Sequence, residues 1–435
     1  MRRDIVHIGA GELTYEIRNI VTVGEKLQSL GIDTYWENIG DPVAKGEVIP
    51  NWMKQIVADC AMQDKTYGYC PTKGVLSTRQ FIADEVNKRG GVQIGPDDII
   101  FFNGLGDAIN KVFNLLKRTA RVVVPSPSYT THSSAEAAHA GDRPVTYRLD
   151  PDNHWYPDLD DLEKRIKYNP SVAGILIINP DNPTGAVYPE SIMRGMVALA
   201  EKYDLFIVCD EVYQNIIYNG TSTLPLSDVI GKVPGIAMHG ISKEMPWPGS
   251  RCGWIEVYNA DRDPVFAKYV ASILNAKMLE VCSTTLPQMA LPKIMSHPQY
   301  RPYLNERIRR YELYSNIAYD CLKEVEGIFV NRTNGAFYMS IAFQEGVLNH
   351  EQFLEIASPE VRKHVENLVS QPGVALDKRF VYYLLGATGI CVVPLSSFAT
   401  ELQGYRTTIL ERDEAKFRKI FSNMAEAIKQ YLASA

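Results

Sequence analysis

The sequence lacks the residue patterns of a metal site or a disulfide-stapled fold. Its seven cysteines are widely scattered without a C-x-x-C pair, and its eight histidines include no H-E-x-x-H. An odd number of separated cysteines is typical of free thiols in a reducing compartment. We therefore expect no metal, no disulfide framework and a cytoplasmic location.

Long apolar runs, strong basic clusters and internal repeats are missing as well. No run of about 18 apolar residues exists, and the first residues carry two arginines without the apolar stretch of a signal peptide. The net charge is −6, and the basic residues Arg307, Arg309 and Arg310 are typical of a solvated helix face. We expect no membrane span, no nucleic-acid partner and no solenoid.

What the sequence does contain is an alternation of short apolar runs with helical patterns. Apolar residues recur at helical spacing after Asp107 and again after Pro189. Between these helices, four continuous, β-rich runs are typical of strands buried on both faces: residues 99–102, 122–124, 175–178 and 206–208. Alternating strands and helices predict an α/β domain with a mostly parallel sheet.

The last third of the chain has a different character. A long helical pattern near residues 304–325 precedes an alternating segment and a closing amphipathic helix. At 435 residues, the chain is also long for one hydrophobic core. We predict a large α/β domain over residues 46–300 and a smaller α+β domain formed by residues 1–45 and 301–435.

Polar residues follow the predicted strands, where open α/β sheets bind ligands. In the first such segment, Asn103–Asp107 (NGLGD), glycines let backbone N–H groups approach an anion at a helix N-terminus. The dinucleotide pattern G-x-G-x-x-G is not met, because Ile109 stands at the third glycine position. The segment is either a phosphate loop or only a tight turn.

Two further segments supply an amide and a carboxylate. In Asn179–Gly185 (NPDNPTG), two prolines make a rigid turn that fixes the direction of the Asn182 amide, although an ordinary loop could share this composition. Asp210 of the segment DEVY follows a buried strand, where a carboxylate is costly without a cation or several donors. The alternative for Asp210 is a helix N-cap.

The fourth segment supplies an amine. Lys243 follows the apolar run 236–241, an unusual place for a solvated lysine, and a desolvated amine is available for Schiff-base chemistry. A single lysine is more often an ordinary surface residue. Together, however, a phosphate loop, a fixed amide, an anion and an amine complement one kind of cofactor, a phosphorylated pyridine aldehyde.

These segments give the chain a family resemblance over essentially its whole length. It resembles the class I/II aminotransferases, the fold-type I pyridoxal phosphate enzymes, in TYGYCPTKGVLSTR, NGLGDAI, PSPSY, NPDNPTG, DEVY, SKEMPWPGSRCGW, NGAFY and YRTTILERDE. The stretch TGICVVPLSSF, followed by Arg406, is similar to alanine aminotransferases. The resemblance implies a large domain with a mostly parallel, seven-stranded sheet beside a smaller α+β domain.

The resemblance also implies a role for each residue around the cofactor. Pyridoxal 5′-phosphate would form a Schiff base with Lys243, which would also shuttle the substrate proton. Asp210 would pair with the pyridine nitrogen and keep it protonated. Tyr213 and Asn182 would hydrogen-bond the 3′-oxygen, and Tyr129 would stack on the ring.

A phosphate cradle and a substrate clamp are implied in the same way. The phosphate would be held by the amides of Leu105 and Gly106, the hydroxyl of Ser242 and the guanidinium of Arg251. Tyr69 would reach the phosphate of a neighbouring subunit, which makes the protein a homodimer. Arg406 would bind the substrate α-carboxylate in a bidentate pair, assisted by Asn182 and the backbone at Gly40. Gly240 is a departure, because many relatives carry a serine for the phosphate at this position.

Three functions remain open at this point. The first is transfer of an amino group from a small amino acid, alanine or aspartate, to 2-oxoglutarate by a ping-pong mechanism. The second is another reaction on the same cofactor, a β-lyase or a decarboxylase, since the motifs that hold the cofactor say little about which substrate bond breaks. The third is a non-enzymatic regulator, which would need an added DNA-binding module, and we expect none because the predicted domain begins so near the first residue.

Overall fold

The strands and helices follow the alternation in the sequence. The computed structural model describes residues 5–13 and 16–435. Its strands are β1 Tyr35–Trp36, β2 Ile99–Phe102, β3 Arg121–Ser126, β4 Thr146–Asp150, β5 Tyr156–Pro157, β6 Val172–Ile178, β7 Phe206–Asp210, β8 Gly235–Gly240, β9 Gly253–Tyr258, β10 Ile328–Val330, β11 Tyr338–Phe343, β12 Ile390–Cys391, β13 Val393–Pro394 and β14 Gly404–Thr408. Its helices are α1 Glu16–Ser29, α2 Asn51–Ala61, α3 Leu76–Asn87, α4 Leu105–Asn114, α5 Thr130–Ala140, α6 Leu159–Lys167, α7 Glu190–Lys202, α8 Leu226–Val229, α9 Pro264–Leu279, α10 Thr285–Met295, α11 Tyr300–Leu322, α12 Pro359–Val369, α13 Leu376–Thr388 and α14 Glu414–Leu432.

The largest sheet has eight strands in the order β2-β9-β8-β7-β6-β3-β4-β5. Six of them run in one direction, while β9 is antiparallel to β2 and β8, and β5 is antiparallel to β4. The predicted mostly parallel sheet is therefore confirmed, with eight strands instead of seven. The additional strand is the two-residue edge strand β5, which is too short to leave a periodic pattern in the sequence.

Both faces of this sheet are covered. In β6, Ile175 and Ile177 belong to one buried apolar cluster, whereas Leu176 and Ile178 belong to another. Burying each such side chain contributes roughly 1.5–3 kcal/mol. The strands are apolar at every position because helices exclude water from both faces of the sheet, as the sequence predicts.

A second, four-stranded sheet has the order β10-β11-β14-β13 and is antiparallel throughout. The N-terminal part of the chain lies close to it, because β1 pairs in parallel with β12 and the amide of Thr408 donates to the carbonyl of Glu37 (2.8 Å). This arrangement agrees with an N-terminal segment that joins the C-terminal third. The boundaries at residues 46 and 300 stay a prediction.

Helix α11 differs from the expectation of a solvated basic face. Arg309 is exposed, as predicted, but only 1% of Arg307 is exposed. The prediction is wrong for Arg307 because its guanidinium finds backbone carbonyls and tyrosine side chains inside the fold. Within the described parts of the chain, we find no helix with the length and apolar character that a bilayer crossing requires.

Candidate active site

The carboxyl ends of β6, β7 and β8 lie level with one another. Ile178 is in register with Asp210, and Asp210 with Met238. Backbone hydrogen bonds continue past the strands, from Asn179 N to Asp210 O (3.0 Å) and from Glu211 N to Met238 O (2.9 Å). The predicted polar segments therefore leave the sheet side by side.

Asp210 stands at the end of β7 and is only 3% exposed. Its Oδ1 accepts from the amide of Val212 (3.1 Å), and its Oδ2 accepts from Nε2 of His132 (2.9 Å). Sequence reasoning expected a cation opposite Asp210 but missed His132, which is fully buried on α5. A single histidine in a helix gives no sign of its partner on another strand.

Lys243 lies in the turn after β8 and is partly buried. Its Nζ donates to the carbonyl of Gly40 (2.8 Å) and lies 5.7 Å from the ring centroid of Phe337. Ser242, the preceding residue, is also partly buried. The structure thus brings Lys243 and Gly40 together across 203 positions of sequence.

The loop between β2 and α4 has the form of an anion site. Gly104 has a φ of +83°, a backbone conformation that favours glycine, and a Cβ there would lie 2.3 Å from Nη2 of Arg251. Leu105 is the first residue of α4, and Gly106 follows it on the open side of the helix end. Arg251 is exposed, and none of the described carboxylates forms an ion pair with it. The guanidinium donates to the carbonyls of Pro248 (3.1 Å) and Asn103 (3.5 Å). Amides at a helix N-terminus beside a guanidinium without a carboxylate partner favour a phosphate.

Arg406 on β14 is buried, with 2% exposure. Nη2 donates to the carbonyl of Asn38 (2.7 Å) and Nη1 to Oδ1 of Asn182 (3.4 Å), while the guanidinium packs 4.5 Å from the ring centroid of Tyr338. Nε has no hydrogen-bond partner, and among the described side chains no carboxylate pairs with this arginine. A buried guanidinium without a carboxylate partner is costly, so an anion bound beside it would stabilise it.

The NPDNPTG loop is closed around Asn182 by its own side chains. Oδ2 of Asp181 accepts from both the amide (3.0 Å) and the hydroxyl (2.5 Å) of Thr184. Burial raises the pKa of Asp181 to about 7, although the bonds from Thr184 oppose this change. The loop therefore holds the Asn182 amide beside Arg406, in agreement with the predicted rigid turn.

Two tyrosines meet above this loop. The hydroxyl of Tyr213 donates to that of Tyr338 (3.2 Å), and burial, with the neighbouring Tyr338, raises the pKa of Tyr213 well above its usual range. A Cβ at Gly40 would lie 2.0 Å from the Tyr338 hydroxyl. Sequence reasoning missed Tyr338, although this residue ends the quoted motif NGAFY, and it missed Asn38, which lies two residues before Gly40.

Of the remaining predicted residues, Tyr129 lies beside His132, whereas Tyr69 lies at the surface. Tyr129 directly precedes α5, and its ring lies edge-on to His132 with centroids 6.1 Å apart. Tyr69 is 85% exposed. No group of three or more histidine, cysteine or acidic side chains is placed to hold a metal in the described ranges.

Comparisons with known proteins show which family the chain is similar to. The family model described as aminotransferase class I and II matches residues 38–421. The chain is 59% identical to an uncharacterised aminotransferase of Methanocaldococcus jannaschii over 432 residues, which cover 99% of this chain and 100% of that protein. It is 29% identical to glutamate-pyruvate aminotransferase AlaA of Escherichia coli over 329 residues, 75% and 79% of the two chains. The solved alanine aminotransferase of Pyrococcus furiosus superposes with a TM-score of 0.83 at 25% identity, covering 98% and 100%.

The fold and the family match define a transferase of amino groups. The chain belongs to the class I and II aminotransferases.

Proposed function

We propose that this aminotransferase binds pyridoxal 5′-phosphate on Lys243 and moves the amino group of a small amino acid, of the alanine or aspartate type, to a 2-oxo acid such as 2-oxoglutarate by a ping-pong mechanism. The observation that carries the proposal is the buried guanidinium of Arg406 with its unpartnered Nε. Because a buried cation is costly without an anion, a substrate carboxylate matched to its planar fork completes the site.

The residues around Asp210 fit the ring of this cofactor. When bound, pyridoxal phosphate supplies a protonated pyridine that withdraws electrons from the substrate Cα. Asp210, oriented by His132, holds the proton on the ring nitrogen. Asn182 would donate to the 3′-oxygen, Tyr213 would do so in place of its hydrogen bond to Tyr338, and Tyr129 would cover one face of the ring.

The start of α4 fits the phosphate. The amides of Leu105 and Gly106 donate to it at the positive end of the helix, together with the hydroxyl of Ser242 and the guanidinium of Arg251. This cradle fixes the cofactor at one end. At the other end, Nζ of Lys243 would take the proton from the substrate Cα and return it on the side of the cofactor, after which hydrolysis by water would release the oxo acid.

A small substrate side chain is supported by two observations. Gly40 and the hydroxyl of Tyr338 are so close that even a methyl group at residue 40 would collide, and Gly40 also touches Lys243. The names of two proteins to which the chain is similar, a glutamate-pyruvate aminotransferase and an alanine aminotransferase, agree with a reaction in which alanine or its oxo acid pyruvate takes part.

The exposed ring of Tyr69 supports a homodimer, in which it reaches the phosphate of the second subunit. Sedimentation velocity should then give a dimer, and an active monomer would contradict this assignment. Two domains, residues 46–300 and residues 1–45 with 301–435, would enclose the substrate. The seven free cysteines agree with a cytoplasmic location.

The test is an absorption titration of the purified protein with pyridoxal phosphate. We expect a visible band that one small amino acid bleaches and 2-oxoglutarate restores, and no such band in Lys243→Ala. Bleaching with release of ammonia or carbon dioxide would instead assign the β-lyase or decarboxylase reaction. If the wild type shows no visible band, the proposal that it binds pyridoxal phosphate on Lys243 is refuted.

A further inference from the structure

Arg307 contacts the backbone of Lys243 although it lies on a different element. Its guanidinium on α11 donates from Nη2 to the carbonyl of Lys243 (3.0 Å) and from Nη1 to the carbonyl of Glu244 (2.5 Å). Hydrogen bonds from a charged donor are shorter and stronger than neutral ones. The planar guanidinium of Arg307 therefore binds two consecutive carbonyls of the turn that carries Lys243.

The guanidinium is held in place by aromatic side chains more than by a carboxylate. Nη2 also donates to the hydroxyl of Tyr311 (2.8 Å), and the charge lies 5.6 Å from the ring centroids of Tyr303 and Tyr311. Its acidic neighbour Glu47 is 3.8 Å from Nε, outside hydrogen-bond distance, and forms closer ion pairs with Arg310 and Arg412. The best hydrogen bonds of Arg307 thus go to the turn.

The backbone of the turn is otherwise held at Ile241, whose amide donates to Cys252 O (3.3 Å) and whose carbonyl accepts from the amide of Trp247 (3.2 Å). Residues 241–245 follow β8 without helix or strand. On its other side, the Glu244 carboxylate accepts from Nδ2 of Asn215 (2.7 Å) and from the hydroxyl of Tyr300. Arg307 and the partners of Glu244 therefore hold the turn from both sides.

We propose that Arg307 is a positioning residue, which fixes the main chain of Lys243 so that the flexible lysine side chain starts from one place and one direction. The proposal rests on the proposed function of Lys243. A reacting group misplaced by about 1 Å can lose on the order of 100-fold in rate, so a fixed origin for Nζ matters for each proton transfer. Arg307 itself touches no reacting atom.

The experiment compares Arg307→Met with the matched control Arg310→Met. Arg310 also pairs with Glu47 and packs on Tyr311 at 5.5 Å, but it donates no hydrogen bond to the described residues of the turn. With the cofactor bound, we expect Arg307→Met to slow the single-turnover reaction with the amino donor by roughly 10- to 100-fold, with the donor KM changed by less than about threefold. Arg310→Met should stay within about threefold of the wild-type rate.

Two further measurements separate positioning from stability and from the proposed function. Borohydride reduction followed by peptide mapping should find the cofactor on Lys243 in the wild type, and its absence there would overturn the proposed function itself. If the cofactor is on Lys243 and Arg307→Met reacts at the wild-type rate, only the positioning role is overturned. Equal rate losses in both variants, parallel to their losses in Tm, would also overturn it.

Arg307→Lys covers the case in which Arg307→Met does not fold. A lysine keeps the charge but can reach only one of the two carbonyls, so we expect a single-turnover rate between those of the wild type and the methionine variant, about 3- to 10-fold below the wild type. A wild-type rate in Arg307→Lys, with the cofactor trapped on Lys243, would overturn the proposal.

Discussion

His132 and Asp210 form a 2.9 Å hydrogen bond between Nε2 and Oδ2, although 78 positions separate them in sequence. Both side chains are buried, so neither exchanges its partner for water. The histidine therefore holds the Asp210 carboxylate in one orientation at the end of β7. This relationship leads directly to the first prediction.

Replacing His132 by leucine should slow the donor half-reaction roughly 10-fold or more, because a hydrogen bond to a charged group contributes about 1.5–3 kcal/mol. Single-turnover absorption kinetics measure this rate. His139→Leu is the control, since His139 lies on the same helix and its Nε2 hydrogen-bonds the carbonyls of Lys117 and Ala120, away from Asp210. If His132→Leu reacts at the same rate as His139→Leu, His132 does not orient Asp210 for the reaction.

Lys243→Ala should keep the cofactor through the phosphate contacts and lose turnover by about 10²- to 10⁴-fold, the usual contribution of a general acid–base group. The retained cofactor is measured by fluorescence after dialysis, and turnover by a coupled assay. Near-normal turnover would show that another group moves the proton.

Gly104→Ala should weaken cofactor binding and destabilise the protein by about 1–3 kcal/mol, because the backbone there suits glycine and the new methyl group would meet Arg251. Gly249→Ala is the control, as nothing lies within 4 Å of a Cβ at that position. Pyridoxal phosphate titration and urea unfolding give the two quantities. If the two variants have the same cofactor affinity and the same free energy of unfolding, position 104 does not require glycine.

Gly240→Ser should be tolerated, because the nearest atom to a new Cβ is the Cys252 carbonyl oxygen at 3.4 Å, an ordinary contact. The added hydroxyl lies near Leu105 at the phosphate loop, so we expect tighter cofactor binding, by about 10-fold for one charged hydrogen bond. Release of the cofactor under dialysis measures it. Faster release than from the wild type would place the phosphate elsewhere.

A buried charge cluster predicts a pH dependence of stability. Nε2 of His239 lies 3.2 Å from Glu211 and 3.3 Å from Glu256. Burial alone would lower the pKa of His239, but the two carboxylates outweigh it and raise the pKa to about 10. Burial would likewise raise the pKa of Glu256, but the charge of His239 lowers it to about 2.

The sign of each effect follows from these directions. The contribution of His239 is complete below its ordinary pKa of 6.5 and disappears as the pH rises through about 10. That of Glu256 is complete above its ordinary 4.5 and is lost as the pH falls through about 2. His239→Gln should therefore cost about 3–5 kcal/mol near pH 6 and clearly less near pH 10.

Urea unfolding of the wild type and His239→Gln at both pH values measures this difference. His350→Gln, at an exposed histidine, is the control and should cost little at either pH. A cost for His239→Gln that is the same at both pH values would exclude a charged histidine in the cluster.

The sequence by itself determined the strands and the polar segments at their ends. Runs such as 175–178 are apolar at every position because both faces are buried, and this pattern is local. Asp210 and Lys243 could be selected because a charged residue directly after such a run conflicts with its surroundings. The edge strand β5 was not predicted, since two residues are too few to show a periodic pattern.

Only the tertiary structure decided which side chains meet. Asn38 and Arg406 are 368 positions apart, and Arg307 reaches Lys243 from a helix whose spacing predicts solvent exposure. Such pairs depend on how helices and sheets pack, because a buried histidine or arginine is acceptable only where distant partners satisfy it. No local periodicity records those partners.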